Sequence, residues 1–368
     1  MKDPIVLPVV EVVARLREFN TVVDARSPSE FADDHLPGAI SAPVLDDAQR
    51  AIVGTVNAER GAFEAKRLGA AIVSRNIGEL IDRLFAERDR HWRPLVYCWR
   101  GGNRSGALAT VLARVGWPAH VLDGGYKAYR ARVVSDLQDL PARLQFVVLA
   151  GRTGSGKTAL LERLSARGLQ VLDLEALAVH RGSLLGLPPG AEQPPQKRFE
   201  SQVWEALRGF DPTRPVIVES ESRKVGERQV PDALIAAMRA SPCIVVEAGR
   251  SLRAQMLLAD YTHFVHDPGA LRARLAPLAT LHGHAIIAEW HALIDAGDWP
   301  GFVETLLERH YDPAYDRSMN RNFVRLAQAP VVTLASADAL EATADEIARR
   351  AAAAISARPP SPAAPGDA

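Results

Sequence analysis

Eight residues, GRTGSGKT from Gly151 to Thr158, constrain the fold of this chain more than any other stretch. They match the pattern G-x-x-x-x-G-K-S/T and lie between an apolar run, QFVVLA, and the helix-forming ALLERLSARG. A glycine-rich turn can aim several backbone N–H groups at one anion when a strand delivers it and a helix carries it away. The pattern therefore predicts a strand, a phosphate-holding loop and a helix within an α/β fold of the P-loop kind. Gly151, Gly154, Ser155, Gly156, Lys157 and Thr158 form the predicted diphosphate-binding loop. Lys157 would neutralise terminal phosphate charge, and the Thr158 hydroxyl is placed to ligate Mg²⁺.

Further strands are predicted at Val171 to Leu174, Val216 to Glu219 and Cys243 to Glu247, alternating with helices, so this block reads as an open parallel sheet. Asp173 in VLDLE and Glu219 and Glu221 in VIVESES end apolar strands, and are the acidic candidates for the metal side of the loop. HRGS (180–183) and SRKVGER (222–228) are candidate phosphate or RNA grips. Past Asp267 helices dominate until a short strand at Val331 to Leu334. The end, ISARPPSPAAPGDA, is rich in proline and alanine and is expected to be disordered.

The N-terminal block also alternates strands (Thr21 to Asp24, Leu95 to Cys98, His120 to Leu122) with helices such as Gly106 to Val115. It contains one of only two cysteines. Cys243 lies in the β-branched run SPCIVVEAG and reads as core. Cys98 instead ends PLVYC and precedes WRGGNRSGALATVLARVG, a glycine-bearing loop leading into an amphipathic helix. Loop amides, a helix N-terminus and the guanidinium groups of Arg100 and Arg104 all stabilise negative charge, so the thiol should ionise below its free value of about 8.5. The same cradle of Arg100, Gly101, Gly102, Asn103 and Arg104 would hold a tetrahedral anion beside the sulfur.

With 368 residues, two domains are expected, and the polar, proline-containing LQDLPAR (137–143) marks their boundary. The expected division is 1–140, 141–355 and a tail, 356–368. Lysine plus arginine balance aspartate plus glutamate at 44 each, so contact with nucleic acid would be local rather than driven by a global field. The two cysteines show no metal-ligand spacing, which argues against structural zinc. The N-terminus lacks the pattern of a signal peptide, and no apolar run approaches about 18 residues, so a cytoplasmic protein with no membrane contact is expected.

VVDARSPSEFADDHLPGAISAP (22–43), with Asp24, Arg26, Glu30, His35, Gly38 and Ala39, resembles the opening signature of rhodanese domains, and VLDGGYKAYR (121–130) resembles their closing glycine pair. The resemblance implies an N-terminal rhodanese-like parallel-sheet domain, followed by the P-loop NTPase-like α/β domain with its helical C-terminal segment. Five residues separate Cys98 from Arg104 where common sulfurtransferases have four. This loop is similar to that of dual-specificity phosphatases of the same fold, and a wider loop suits a larger anion than thiosulfate provides.

Together with LDLEALAVHRGSLLG, QPPQKRFE, VESESRKVG and HYDPAYDRSM, these motifs resemble the bacterial tRNA 2-selenouridine synthase family from Val22 to about Met319. The resemblance implies S-geranylation of a wobble 2-thiouridine by geranyl diphosphate, then replacement of the geranylthio group by selenium from selenophosphate. It makes Cys98 the nucleophile that forms an S-selanyl intermediate, with selenophosphate on Arg100 to Arg104 and the geranyl diphosphate on Gly151 to Thr158, where Mg²⁺ assists. The implied partner is the anticodon arm of tRNA, and Arg317, Arg321 and Arg325, four residues apart on one expected helix face, are the candidate contacts. Two alternatives fit the same motifs: a rhodanese sulfurtransferase fused to an ATP-dependent P-loop kinase, and a non-catalytic RNA-binding regulator.

Overall fold

Short β-branched runs build two separate parallel sheets. The computed structural model describes residues 3–356, so the tail expected to be disordered lies, past Ser356, outside the described residues. The chain divides into two compact units: Met1–Leu137 with Pro194–Glu205, and Gln138–Gln193 with Ala206–Ala368.

In the first unit the strands are β1 (Ile5–Leu7), β2 (Thr21–Asp24), β3 (Ala39–Ser41), β4 (Pro94–Tyr97) and β5 (His120–Leu122), in the order β1-β5-β4-β2-β3, all parallel. β4 is central and wholly buried, and Cys98 follows its last residue. Ligands of open α/β sheets bind beyond the carboxyl ends of strands, and Cys98 stands at such an end. Helix Asn103–Val115 packs on the sheet through Leu108, Ala109 and Leu112, in a core shared with Val23, Val96, Phe85 and Trp92. A helical hairpin, Asp47–Arg60 and Ala62–Leu80, stands beside this core. Its first helix begins with a capping box between Asp46 and Gln49 and has no buried residue.

The segment Pro194–Glu205 completes this unit. Phe199, Val203 and Trp204 are fully buried, the Ser201 hydroxyl donates to Asp34 Oδ2 at 2.8 Å, and Trp204 Nε1 donates to Asp136 Oδ2 at 2.9 Å. The indole meets Tyr129 edge-on at 5.4 Å.

In the second unit β6 (Gln145–Ala150), β7 (Gln170–Leu172), β8 (Pro215–Glu219), β11 (Cys243–Ala248) and β12 (Val331–Leu334) form a parallel sheet in the order β12-β11-β6-β8-β7. A small antiparallel pair, β9 (Lys224–Val225) and β10 (Arg228–Gln229), lies between β8 and β11 in sequence. β6 and β8, buried on both faces, are continuous apolar runs, whereas the edge strand β12 alternates exposed and buried residues. The helices between Ala248 and Asp312 gather around a second core of Leu275, Trp290, Phe302 and Leu306, while helix Leu340–Ser356 packs on the sheet through Ala344 and Ile347.

LQDLPAR is not a linker loop. Helix Gly125–Arg143 runs through it with Pro141 inside. Burial of Leu137 and Leu144 favours continuing the helix, and Pro141, in its last turn, removes the donor that would otherwise bond the Leu137 carbonyl.

Candidate functional sites

The cysteine site lies in the first unit. Cys98 is 4% exposed, and its loop is strapped from behind: its carbonyl accepts the N–H of Tyr126 at 2.8 Å, and that of Trp99 accepts the N–H of Lys127 at 3.0 Å. Gly125 makes this close approach, because a Cβ there would lie 2.3 Å from the Cys98 carbonyl oxygen and its φ is +57°. Gly101 has φ +67° and is equally hemmed in by Leu122 and Gly124. Gly102 caps the N-terminus of the helix that starts at Asn103.

Burial opposes ionisation of Cys98, but hydrogen bonds from the Ser105 hydroxyl and N–H, the Arg100 N–H and the charge of Arg104 outweigh it, and the thiol pKa is lowered. Ser105 Oγ lies 3.2 Å from Sγ. Sequence reasoning named the arginines and loop amides but missed Ser105, which is one turn into the helix and faces back to the sulfur.

Arg104 is held by Glu30 at 2.7 and 3.3 Å, and Arg50 joins the same carboxylate at 3.3 Å. Asp24 and Arg26 form a buried ion pair at 2.6 Å, joined by the Tyr97 hydroxyl donating to Asp24 at 2.6 Å. Arg26 also donates to the Asp34 carbonyl. These two signature residues thus brace the scaffold, and Glu30 alone of the charged pairings reaches the cysteine loop. Above the loop opens a cleft of about 960 Å³, walled on one side by Cys98 to Arg104 and on the other by the helical hairpin.

The phosphate loop lies in the second unit, between β6 and helix Lys157–Ala166. Lys157 Nζ donates to the Gly151 carbonyl at 2.6 Å, and Ser155 Oγ is buried with no hydrogen-bond partner. Burial lowers the Lys157 pKa, against the pull of Glu175, Glu221 and Glu219. Thr158 Oγ1 is 3.5 Å from Glu175, whose N–H donates to Glu219 at 2.9 Å, while the other Glu219 oxygen is buried and unpartnered. Burial raises the pKa of Glu219, and burial together with Glu175 pushes Glu221 up to about 8. A Cβ on Gly182, in the HRGS loop, would touch both Glu175 and Glu221. Asp173 caps helix Leu174–Ala178 by accepting from Ala176, and its charge adds to burial in raising the pKa of both Glu219 and Glu175. Glu175 was missed in the sequence, where it sits inside a helix rather than at a strand end.

Helix Asp312–Asn322 clamps the loop. The Gly151 N–H donates to the Tyr315 hydroxyl at 2.6 Å, Asp316 pairs with Arg152 at 2.7 Å, and Asp312 forms a buried two-pronged pair with Arg253 at 2.8 Å. Arg253 also donates to the Thr153 carbonyl at 3.1 Å. The expected arginine face does not form. Arg317 and Arg321 are on this helix, but it ends at Asn322, because buried Phe323 turns the backbone to extended geometry, and Arg325 lies beyond the break. All three are exposed.

Beside Thr153 lies an apolar cavity of about 60 Å³, bounded chiefly by Leu257, Tyr261, Phe302, Leu306 and Tyr311. Among the described residues no helix is long and apolar enough to cross a membrane.

Residues 9–132 match the family described as Rhodanese-like domain, and residues 144–274 match that described as tRNA 2-selenouridine synthase AAA domain. The chain is 35% identical over 323 residues to the tRNA 2-selenouridine synthase of Cupriavidus necator, covering 80% of this chain and 87% of that one. It is 30% identical over 365 residues to that of Shewanella denitrificans, covering 87% and 94%. With its cysteine loop, its phosphate loop and nearly its full length so matched, the chain belongs to the tRNA 2-selenouridine synthase family.

Proposed function

We propose that the protein converts wobble 2-thiouridine in the anticodon arm of tRNA to 2-selenouridine, by S-geranylation from geranyl diphosphate and then exchange of the geranylthio group for selenium from selenophosphate. The observation that carries this reading is the presence in one chain of a phosphate loop and of a cysteine loop that lowers the Cys98 thiol pKa, in a member of the tRNA 2-selenouridine synthase family.

In the first step the thiouridine sulfur attacks C1 of the geranyl group. The S–C bond forms, the C–O bond to diphosphate breaks, and the N3 proton is released. Lys157 and the loop amides hold the departing diphosphate. Tyr315 and Arg253 position that loop. No group of three or more His, Cys, Asp or Glu side chains able to hold a metal occurs among the described residues. Mg²⁺ commonly binds through one or two protein oxygens plus substrate phosphates, and Thr158 with Glu175 and Glu219 fits that role. Bound there, the ion would supply charge neutralisation on the diphosphate.

In the second step the Cys98 thiolate attacks the selenium of selenophosphate held by Arg100, Gly101, Gly102, Asn103 and Arg104. The sulfur–selenium bond forms, the selenium–phosphorus bond breaks and its electron pair leaves with phosphorus as phosphite, so that Cys98 carries selenium as an S-selanyl group. Alkylation has made the sulfur on C2 a better leaving group. Arg317 and Arg321, exposed on one helix, serve as RNA contacts, and Arg325 adds a third cation after the break. A tRNA substrate places the reaction in the cytoplasm.

The test incubates the full chain with 2-thiouridine tRNA, geranyl diphosphate and Mg²⁺, with and without selenophosphate and a thiol, and identifies nucleosides by mass spectrometry. Lys157→Ala should abolish geranylation, and Cys98→Ala should abolish selenation alone. A wild type that leaves the nucleosides unchanged while hydrolysing ATP would replace this reading with the sulfurtransferase-kinase one.

A further inference from the structure

The cleft over Cys98 is far larger than delivery of one chalcogen atom requires. Its volume of about 960 Å³ is at the upper end of small-molecule sites, commonly about 300–1,000 Å³. Leu45, Val53, Ala65, Val73 and Ala107 give it apolar walls, with the exposed cations Arg50, Lys66 and Arg100 also along it. The hairpin side leaves the space unfilled: Gly54 lines the cleft, and a Cβ built on it meets no atom within 4 Å.

We propose that this cleft is a second hydrocarbon-binding site, which takes the ten-carbon geranylthio group while selenium displaces it from C2. The inference rests on the geranylation reading above. In the displacement the C2–selenium bond forms and the C2–sulfur bond breaks. The bonding pair leaves with geranylthiolate, which is protonated by water. External thiol then cleaves the selenium–sulfur bond to Cys98, freeing the selenouridine, with N3 taking up a proton, and leaving a mixed disulfide that a second thiol reduces. A nucleobase bearing this chain can bring C2 to Cys98 only if the chain has somewhere dry to lie, because exposing it to water forfeits the burial that would favour binding. The cations along the cleft suit the flanking phosphates of the RNA.

Filling the cleft tests this. Gly54 lies within a helix and has an ordinary negative φ, so Gly54→Phe removes a poor helix former and adds bulk only to open space. Full-length wild type and Gly54→Phe receive selenophosphate, thiol and tRNA carrying either 2-geranylthiouridine or 2-methylthiouridine, and selenouridine is measured by mass spectrometry. Iodoacetamide labelling of Cys98 confirms that the variant's loop is folded. The ratio of geranylthio to methylthio conversion should fall at least tenfold in Gly54→Phe. An unchanged ratio overturns the inference and leaves the two-step reaction standing, whether both rates fall or neither does. A wild type that selenates neither base overturns the proposed function and this inference with it.

Discussion

The phenolic oxygen of Tyr315 accepts a 2.6 Å hydrogen bond from the Gly151 amide, so the first residue of the phosphate loop is tied to a helix 164 residues further along the chain. The same ring lies 5.9 Å from Lys157 Nζ. Tyr315→Phe keeps the ring and removes the bond, worth about 0.5–1.5 kcal/mol. The expected outcome is a fall of up to about tenfold in affinity for geranyl diphosphate, read by titration calorimetry, with iodoacetamide reactivity of Cys98 unchanged. Equal affinity would show that the loop holds its shape unaided.

Asp312 and Arg253 are both buried, and the pair is surrounded by the apolar helices of the second unit. Removing one partner of such a pair leaves an uncompensated charge and costs about 3–5 kcal/mol. Asp312→Asn should therefore lower the urea midpoint of the second unit, and the double variant Asp312→Leu, Arg253→Met should recover much of the loss. Urea unfolding monitored by tryptophan fluorescence, chiefly from Trp290 and Trp299, reads both. A single variant with the wild-type midpoint would contradict the burial argument.

Ser105 predicts a shift in thiol chemistry. Hydrogen bonds to a charged group contribute about 1.5–3 kcal/mol, and one pKa unit corresponds to about 1.4 kcal/mol. Ser105→Ala should move the midpoint of Cys98 alkylation upward. The rate of iodoacetamide labelling followed against pH measures it, and a midpoint that stays in place would assign the lowered pKa to the loop amides and Arg104 alone.

Glu221 predicts a pH dependence of stability. Its carboxyl is harder to ionise in the folded chain, at about 8, than at its ordinary value of 4.5, because it is buried and faces Glu175. The folded state is therefore penalised increasingly as pH rises from 4.5 to 8, and fully above that. Glu221→Gln removes the penalty, so its stabilising effect should be larger at pH 8.5 than at pH 5. Differential scanning calorimetry in the absence of divalent cations tests it, and an equal effect at both values would refute the assignment.

The sheets were legible because their strands are runs such as VVD and FVVLA, whose burial the alternation with helices already implies. Both loops were legible for a related reason: each is contiguous, so residue types and spacing carry the geometry. What was hidden is long-range. Nothing near Tyr315 in HYDPAYDRSM announces Gly151 as its partner, and a repeat of arginines every four residues suggested a face that Phe323 interrupts. The hairpin beside Cys98 left no motif because its first helix has no buried residue to impose a clear stripe. Pro141 misled in the other direction, since proline marks a boundary in sequence but sits inside the last turn of a helix here.

Because Pro194–Glu205 belongs to the first unit, that unit cannot finish assembling when its own last residue before the crossing, Leu137, leaves the ribosome. Glu205 follows 68 residues later (205 minus 137), which at about 5–20 residues per second is a wait of about 3–14 s. During that interval Asp34 lacks Ser201, Asp136 lacks Trp204, and the face of Tyr129 is uncovered. A nascent chain of this protein therefore passes through a stage with an incomplete N-terminal half, open to chaperones and proteases, and a fragment cut at Leu137 would be arrested at that stage.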